Sequence, residues 1–459
     1  MHITRREFVV GSLAFAAFPS IACTGPPIPG TNIAVLYLDD MREDGLNYMP
    51  KTMARFDHRF TQSRANGGAC IDTRLGLFTG TNLKNHPWKW YLTATELDPT
   101  KTWGYWLQAA GYRTGLFGEY ITTIHWDQGI QPGWDVWKTY TANGHDEFTF
   151  EVEEGLTPPE PFAPGGRNLD YMTDALIDFA TTSTGPWFAS WNPQHPHTIT
   201  ETGELQPRPE HTGLWTDLPS PAPVDEDVTG KPAWIQALPP LSEAQIADFE
   251  RAQMQQAQVL TGVDDAIESF FVALEQSGQL ENTLVILSSD QGVHYGEHRF
   301  GNAFGVPAAV QKVTLYEPVV RTPLLVTGPG FPAGSTSVPV TQADITTTVV
   351  GVAGAQPSHD LDGIDLRLVR EFSGIMANRS VLLQSLPLAV FTPWPGHDSV
   401  VTGPDHPTVP SMKLGILHTG ERELYDLAAD PGEFVNLATD PAWDDAQARL
   451  SKLLNIHLA

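Results

Sequence analysis

Cysteine is nearly absent: Cys23 and Cys70 are the two thiols in 459 residues. That scarcity excludes a disulfide framework as the source of stability. Basic residues are also few, with 27 Lys and Arg against 54 Asp and Glu, for a formal charge of −27. Such a surface excludes general attraction to nucleic acid or to anionic lipid, so an anionic partner must be drawn locally by a metal or a few placed cations. Outside the amino-terminal segment no apolar run approaches the ~20 residues of a membrane span, and no internal repeat is found.

What is present begins with an export signal. Arg5-Arg6 precede the apolar run Phe8 to Phe18 and then Ser20-Ile21-Ala22-Cys23. The paired arginines match a twin-arginine signal read by export machinery, and Cys23 follows small residues as a lipid-anchored cysteine would. The expected location is the periplasm or cell surface, with a lipid anchor at Cys23 as one outcome of processing. Residues 1–30 are therefore set apart as signal and leader.

Two apolar runs, Asn32 to Leu38 and Thr283 to Ser289, are each halted by acids, Asp39-Asp40 and Asp290. Buried strands that deliver carboxylates at their carboxyl ends fit an open α/β sheet, where sites lie outside that edge. Tyr112 to Gly118, Trp187 to Trp191 and Pro323 to Thr327 read as further strands. Ser242 to Ser277 reads as one or two helices opened by a Ser242/Gln245 capping box, with Ile246, Phe249, Leu260, Val263, Ile267, Phe270 and Leu274 as a core stripe. Thr200 to Pro240 is proline-rich and reads as an irregular excursion. After about Asp360, short alternating runs (Ser380 to Leu386, Leu388 to Phe391, Met412 to Leu417) and a helix from Ala442 to Leu458 predict a small antiparallel sheet with a helix. The expected organisation is a catalytic α/β domain over 31–360, with a large mostly parallel sheet flanked by helices, and a C-terminal subdomain over 361–459.

Asp39, Asp40 and Asp290, converging at one sheet edge, need a cation to be tolerated. All are hard oxygen donors and Gln291 can add another, which suits calcium or magnesium rather than zinc. A lone cysteine is ordinarily a small buried hydrophobe. Cys70, however, follows Gly67-Gly68 and opens a short helix closed by Gly80, with Arg74 one turn along. Helix N-terminal amides and a fixed guanidinium are the surroundings a nucleophile aimed at an anionic ester requires.

On these residues the chain resembles the type I sulfatases of the alkaline phosphatase superfamily. Asp39-Asp40 resembles the family's first acidic pair, and Cys70 to Gly80 its signature. Gly111 to Gly118 resembles the strand leading to a catalytic lysine, and Pro193-Gln194-His195-Pro196-His197 a sulfate-contacting histidine loop. Ser289-Asp290-Gln291-Gly292 with Gly296-Glu297-His298, then Lys312 with Tyr316-Glu317, and finally Glu423 to Leu427 with Asp430-Pro431 complete the series. Gly133 to Trp137, Lys231 to Trp234 and Pro239 to Ser242 look most like the branch of N-acetylglucosamine-6-sulfatase and related arylsulfatases.

The resemblance implies an alkaline phosphatase-like fold and hydrolysis of a sulfate ester of a sulfated carbohydrate or aryl sulfate. It implies that a formylglycine-generating enzyme converts Cys70 to formylglycine, and that Ca2+ (or Mg2+) is held by Asp39, Asp40, Cys70, Asp290 and Gln291. It gives Cys70, Arg74, His197 and Lys312 catalytic roles, with His197 and Lys312 touching substrate.

Four positions depart from the pattern. Glu119 stands where the first catalytic lysine would contact substrate, with His125 and Lys138 nearby as compensating cations. Asp72 replaces a proline or alanine of the modification signature, and Gln291 replaces a more familiar asparagine or histidine. The histidine loop has a second register, in which Gln194 takes the contact place of His197. Two other readings therefore stay open: a phosphate or phosphonate ester hydrolase of the same superfamily, and a catalytically silent protein that binds sulfated glycans.

Overall fold

The computed structural model describes residues 24–86, 97–121, 130–140, 152–154, 165–198, 205–221, 226–302, 312–387 and 395–459. Cys23, His125 and the predicted run Leu388 to Phe391 lie outside the described residues.

Among the described residues the larger sheet has nine strands: β1 (Asn32–Leu38), β2 (His58–Phe60), β3 (Arg113–Gly118), β4 (Val136–Tyr140), β5 (Val152–Glu154), β6 (Trp187–Asn192), β7 (Thr283–Ser289), β8 (Leu324–Thr327) and β9 (Gly334–Thr336). Their spatial order is β5-β4-β3-β6-β1-β7-β8-β2-β9. Among the described residues only β5 and β8 run against the rest. β1 and β7, central and buried at every residue, are the two runs that read as continuously apolar. Burial on both faces removes any reason for polar alternation.

Successive side chains nonetheless feed two cores. Ile33, Val35, Tyr37 and Ile286 join one, and Ala34, Leu36, Leu38 and Leu287 the other. The first core is closed by α1 (Cys70–Thr79), and the second by α2 (Asn168–Thr182) and α3 (Glu243–Gln276). Helix α4 (Gln342–Ala353) adds Ile345 and Val349 to the first core. The predicted capping box opens α3, which is one unbroken helix. Its whole predicted stripe is buried, with Leu260, Val263, Ile267, Phe270 and Leu274 against the sheet. The described part of the proline-rich excursion packs on α3, where Trp215 Nε1 donates to Thr261 Oγ1 at 3.0 Å.

The second sheet is antiparallel, with β10 (Ser380–Ser385), β11 (His397–Thr402), β12 (Met412–Leu417) and β13 (Arg422–Asp426) in sequential order. Helix α5 (Asp444–Leu458) covers it through Leu450 and Leu454, which meet Leu382, Val400, Leu414 and Leu424. Strand β11 was not anticipated, because its opening His397-Asp398-Ser399 carries no apolar alternation.

His397 is buried in that sheet beside Gly415, where a Cβ would lie 1.9 Å from its Nε2. Burial, then Lys413 and His418, push its pKa down to about 3. A pKa depressed below the unfolded value of about 6.5 contributes stability that is present above that value and is lost as pH falls toward the folded one. The native chain should therefore lose stability between about pH 6.5 and pH 4 with a slope approaching about 1.4 kcal/mol per pH unit from this proton. Denaturant midpoints across that range should fall less steeply in His397→Gln than in the native chain; parallel slopes would contradict the assignment.

Candidate active site

The parallel pairing of β1 with β7 sets Leu38 opposite Ser289, so Asp39-Asp40 and Asp290-Gln291 leave adjacent strand ends together. Asp290 organises the junction: its Oδ1 accepts from the Asp40 amide at 3.0 Å and from the Gln291 amide at 2.7 Å. Asp40 adopts φ 65°, a left-handed conformation that aspartate tolerates better than most residues.

Cys70 is the first residue of α1 and is partly exposed. Gly68, just before it, has no room for a side chain, since a Cβ would sit 2.4 Å from the Thr314 carbonyl. This close approach brings the segment bearing Lys312 against the helix start, where the Val313 amide donates to the Gly68 carbonyl at 2.7 Å. Lys312 Nζ consequently lies 2.9 Å from Cys70 Sγ, and 2.8 and 3.0 Å from the Asp40 carboxylate oxygens. Gln291 Nε2 donates to Cys70 Sγ at 3.2 Å and also to Asp40.

Arg74, fully buried one turn into α1, pairs with Asp39 at 2.8 Å and contacts Asp290 at 3.2 Å. His197 Nε2 is 3.6 Å from Asp40 Oδ2. The structure thus gathers Asp39, Asp40, Cys70, Arg74, His197, Asp290, Gln291 and Lys312 in one pocket.

Glu119 is held at the edge of this group. Gly118 before it has φ 107°, and a Cβ there would lie 2.0 Å from the Asn192 carbonyl, so β3 and β6 end in close contact. The Glu119 amide donates to that carbonyl at 2.7 Å, and its own carbonyl accepts from Asn192 Nδ2 at 2.8 Å and Arg74 Nη1 at 3.3 Å. Its carboxylate accepts from Gln194 Nε2 at 3.3 Å. Gln194 therefore serves Glu119, while His197 of the same loop faces Asp40. Lys138, expected as a compensating cation, places its Nζ over the Tyr171 ring at 5.2 Å. The charge that Glu119 meets is Arg74: burial lowers the Arg74 pKa, but Glu119 first, then Asp290 and Asp39, hold it well above its ordinary value.

Other shifts follow the crowding of charge. Burial, then Asp39, push Asp290 well up, against the opposing effect of Arg74. Burial also pushes the Asp40 carboxyl up, but Lys312 and His197 overrule it and hold the group low. The Cys70 thiol is raised well above its usual range by burial, and Lys312 only partly offsets the added push from Asp39, Asp290 and Asp40. A Cβ at Gly67 would lie 2.8 Å from Asp72 Cβ, and burial raises the Asp72 carboxyl to about 7.

The donor set fits a hard divalent cation. Ligand atoms of Asp39, Asp40 and Cys70 lie within 4.8 Å of one another, the spread expected when each is about 2.4 Å from one calcium. Asp290 Oδ2 is buried and makes no hydrogen bond, its contact with Arg74 Nε at 3.2 Å being an ion pair, and a flip of the Gln291 amide would present a further oxygen. The formal balance agrees: Asp39, Asp40, Asp290 and Glu119 outweigh Arg74 and Lys312 by two charges, which one dication neutralises. Asn192 and Gln342 were missed in the sequence. Asn192 ends an apolar strand just as Asp39 and Asp290 follow theirs, a signal that could have found it. Gln342 donates to the Asp290 carbonyl at 3.3 Å from a distant helix, and nothing local announces it.

The chain is similar to known proteins over most of its length. The arylsulfatase of Volvox carteri is 27% identical over 93% of this chain and 73% of its own length. The N-acetylglucosamine-6-sulfatase of Capra hircus is 25% identical over 84% of this chain and 69% of its own. A protein solved in complex with its substrate D-glucosamine-2-N,6-O-disulfate superposes with a TM-score of 0.77 at 19% identity, covering 93% of this chain and 97% of the other. A phosphonate monoester hydrolase from Silicibacter pomeroyi superposes with a TM-score of 0.69 at 18% identity, covering 93% and 95%. The sulfatase family profile matches residues 32–355, most of the chain, and the protein belongs to the sulfatase family, whose chemistry is the hydrolysis of sulfuric esters.

Proposed function

We propose that this protein hydrolyses the sulfate ester of a sulfated sugar, using formylglycine derived from Cys70 and a calcium or magnesium ion. The observation that carries the reading is the contact of residue 70, at a helix N-terminus, with Lys312 at 2.9 Å beside the Asp39, Asp40 and Asp290 carboxylates. Formylglycine, once formed and hydrated, supplies an oxygen nucleophile directed at sulfur.

The chain's own residues prepare that attack. Asp39, Asp40, Asp290 and Gln291 would hold the cation at the sheet edge. Arg74 and Lys312 flank residue 70 and offset charge that develops on the sulfate oxygens. His197, 3.6 Å from Asp40, would give a proton to the leaving sugar oxygen. Glu119 keeps the Arg74 guanidinium and the Gln194 loop in place and, paired in this way, does not oppose the anion as an isolated carboxylate would. A sulfated amino sugar is the substrate class supported by the N-acetylglucosamine-6-sulfatase relative and by the disulfated glucosamine bound to the structural neighbour. The paired arginines and the apolar run after them support export, with lipid attachment at Cys23 as one outcome of processing. No helix among the described residues is long and apolar enough to cross a membrane. Residues 31–360 are taken as the catalytic domain and 361–459 as the C-terminal subdomain.

A second reading, hydrolysis of a phosphonate or phosphate ester, is favoured by the phosphonate hydrolase neighbour. One experiment separates them. Protein from a host that carries the converting enzyme should show an aldehyde at position 70 by peptide mass spectrometry, and should release sulfate from an aryl sulfate faster than phosphonate from its counterpart. The reverse preference selects the second reading. Binding of sulfated glucosamine without any turnover would select a silent glycan-binding protein.

A further inference from the structure

We propose that Lys413, on β12 of the C-terminal sheet, is a positioning residue for Lys312, acting through the segment 313–317; turnover as a readout rests on the sulfatase reading above. The segment begins with Val313 at φ 77°, a conformation a β-branched residue keeps only when its surroundings hold it. The restraints come largely from the C-terminal sheet. Lys413 Nζ donates to the Leu315 carbonyl and lies 3.3 Å from Glu317 Oε1 and 2.9 Å from Glu433 Oε1. Glu433 Oε2 in turn accepts from the Glu317 amide at 2.6 Å, and Tyr316 Oη donates to Glu423 Oε1 at 2.5 Å. Arg64, a few residues before Cys70, grips Glu317 with two bonds of 2.9 Å.

All these groups are buried, and Lys413 is only 2% exposed. A buried ammonium so far from the anion site is otherwise expensive. Its three partners all belong to, or directly bond, the segment that delivers Lys312 to Cys70 and Asp40. The same sheet also meets the other side of the pocket, where the Gln384 amide donates to the Asn66 carbonyl at 3.0 Å just ahead of Gly67. The C-terminal sheet therefore sets the separation between residue 70 and Lys312.

Lys413→Met keeps the aliphatic stem and removes the ammonium, and Lys413→Met with Glu433→Gln restores the buried charge balance. In either variant, acetylation of Lys312 by acetic anhydride, read by peptide mass spectrometry against exposed Lys452, should rise about fivefold, the population change that about 1 kcal/mol of loosening produces. kcat/KM on an aryl sulfate should fall roughly ten- to a hundredfold, as misplacement of a reacting group does. That fall should vanish in a Lys312→Ala background, whereas a purely structural role would multiply the two losses. Unchanged Lys312 labelling in a folded variant, or multiplicative losses, overturns the proposal. If the unaltered enzyme has no turnover, the sulfatase reading fails and the labelling decides alone. If neither variant folds, hydrogen exchange of the unaltered protein decides: the Val313 and Glu317 amides should open together with β12, and independent, faster opening overturns it.

Discussion

Cys70→Ala is expected to abolish release of sulfate from an aryl sulfate, by at least about a thousandfold in kcat, while leaving the fold intact. The expectation for stability comes from position. Residue 70 is the first residue of α1, its side chain is partly exposed, and alanine is well tolerated in a helix. Its backbone carbonyl remains available to Thr73 Oγ1, which donates to it at 3.0 Å. The expectation for activity comes from what remains. Arg74, Lys312 and the carboxylates that would bind the cation are untouched, so the variant should still bind a sulfated sugar, within about tenfold of the unaltered protein, by calorimetry. Loss of turnover with retained binding assigns residue 70 to the chemical step. Cys70→Ser sharpens the test: serine offers one hydroxyl where a hydrated aldehyde offers two, so it should be as silent as alanine. Substantial turnover by the serine variant would instead favour an unmodified nucleophile and the phosphoester reading.

The parts of this site that were legible in the sequence share one property: they lie next to a local structural signal. Asp39 and Asp290 end continuous apolar runs, which become the buried strands β1 and β7, and Cys70 and Arg74 sit on a short helix between glycine-rich ends. Lys312 was found by resemblance alone, since nothing in its neighbourhood predicts a regular element. Strand β11 was hidden by its polar opening His397-Asp398-Ser399, in which the burial of His397 and Ser399 depends on a sheet built from distant segments. Arg74 as the partner of Glu119 could not be foreseen, because that contact joins the end of β3 to the inside of α1 across the sheet edge. The Lys413 network is of the same kind: a lysine inside a strand reads as a solvated face until its buried partners from two other segments are known.

Arg74→Met should destabilise the protein by about 3–5 kcal/mol in the presence of a chelator, because it leaves buried carboxylates without their counter-charge. Arg74 is fully buried, pairs with Asp39 at 2.8 Å, contacts Asp290 at 3.2 Å and donates to the Glu119 carbonyl at 3.3 Å. Methionine fills much of its volume without answering any of those charges. A divalent cation at the same carboxylates would answer part of them. Saturating calcium should therefore raise the Tm of Arg74→Met more than that of the unaltered protein, which itself gains about 2.7 kcal/mol at a hundredfold excess over Kd. Activity should fall by about a hundredfold or more even with calcium present, since the guanidinium that offsets charge on the sulfate is gone. Thermal unfolding of both proteins, each with EDTA and with calcium, measures the difference directly. If the cation shifts the two Tm values equally, the ion does not share its carboxylates with Arg74, and the metal must be sought away from the ends of β1 and β7.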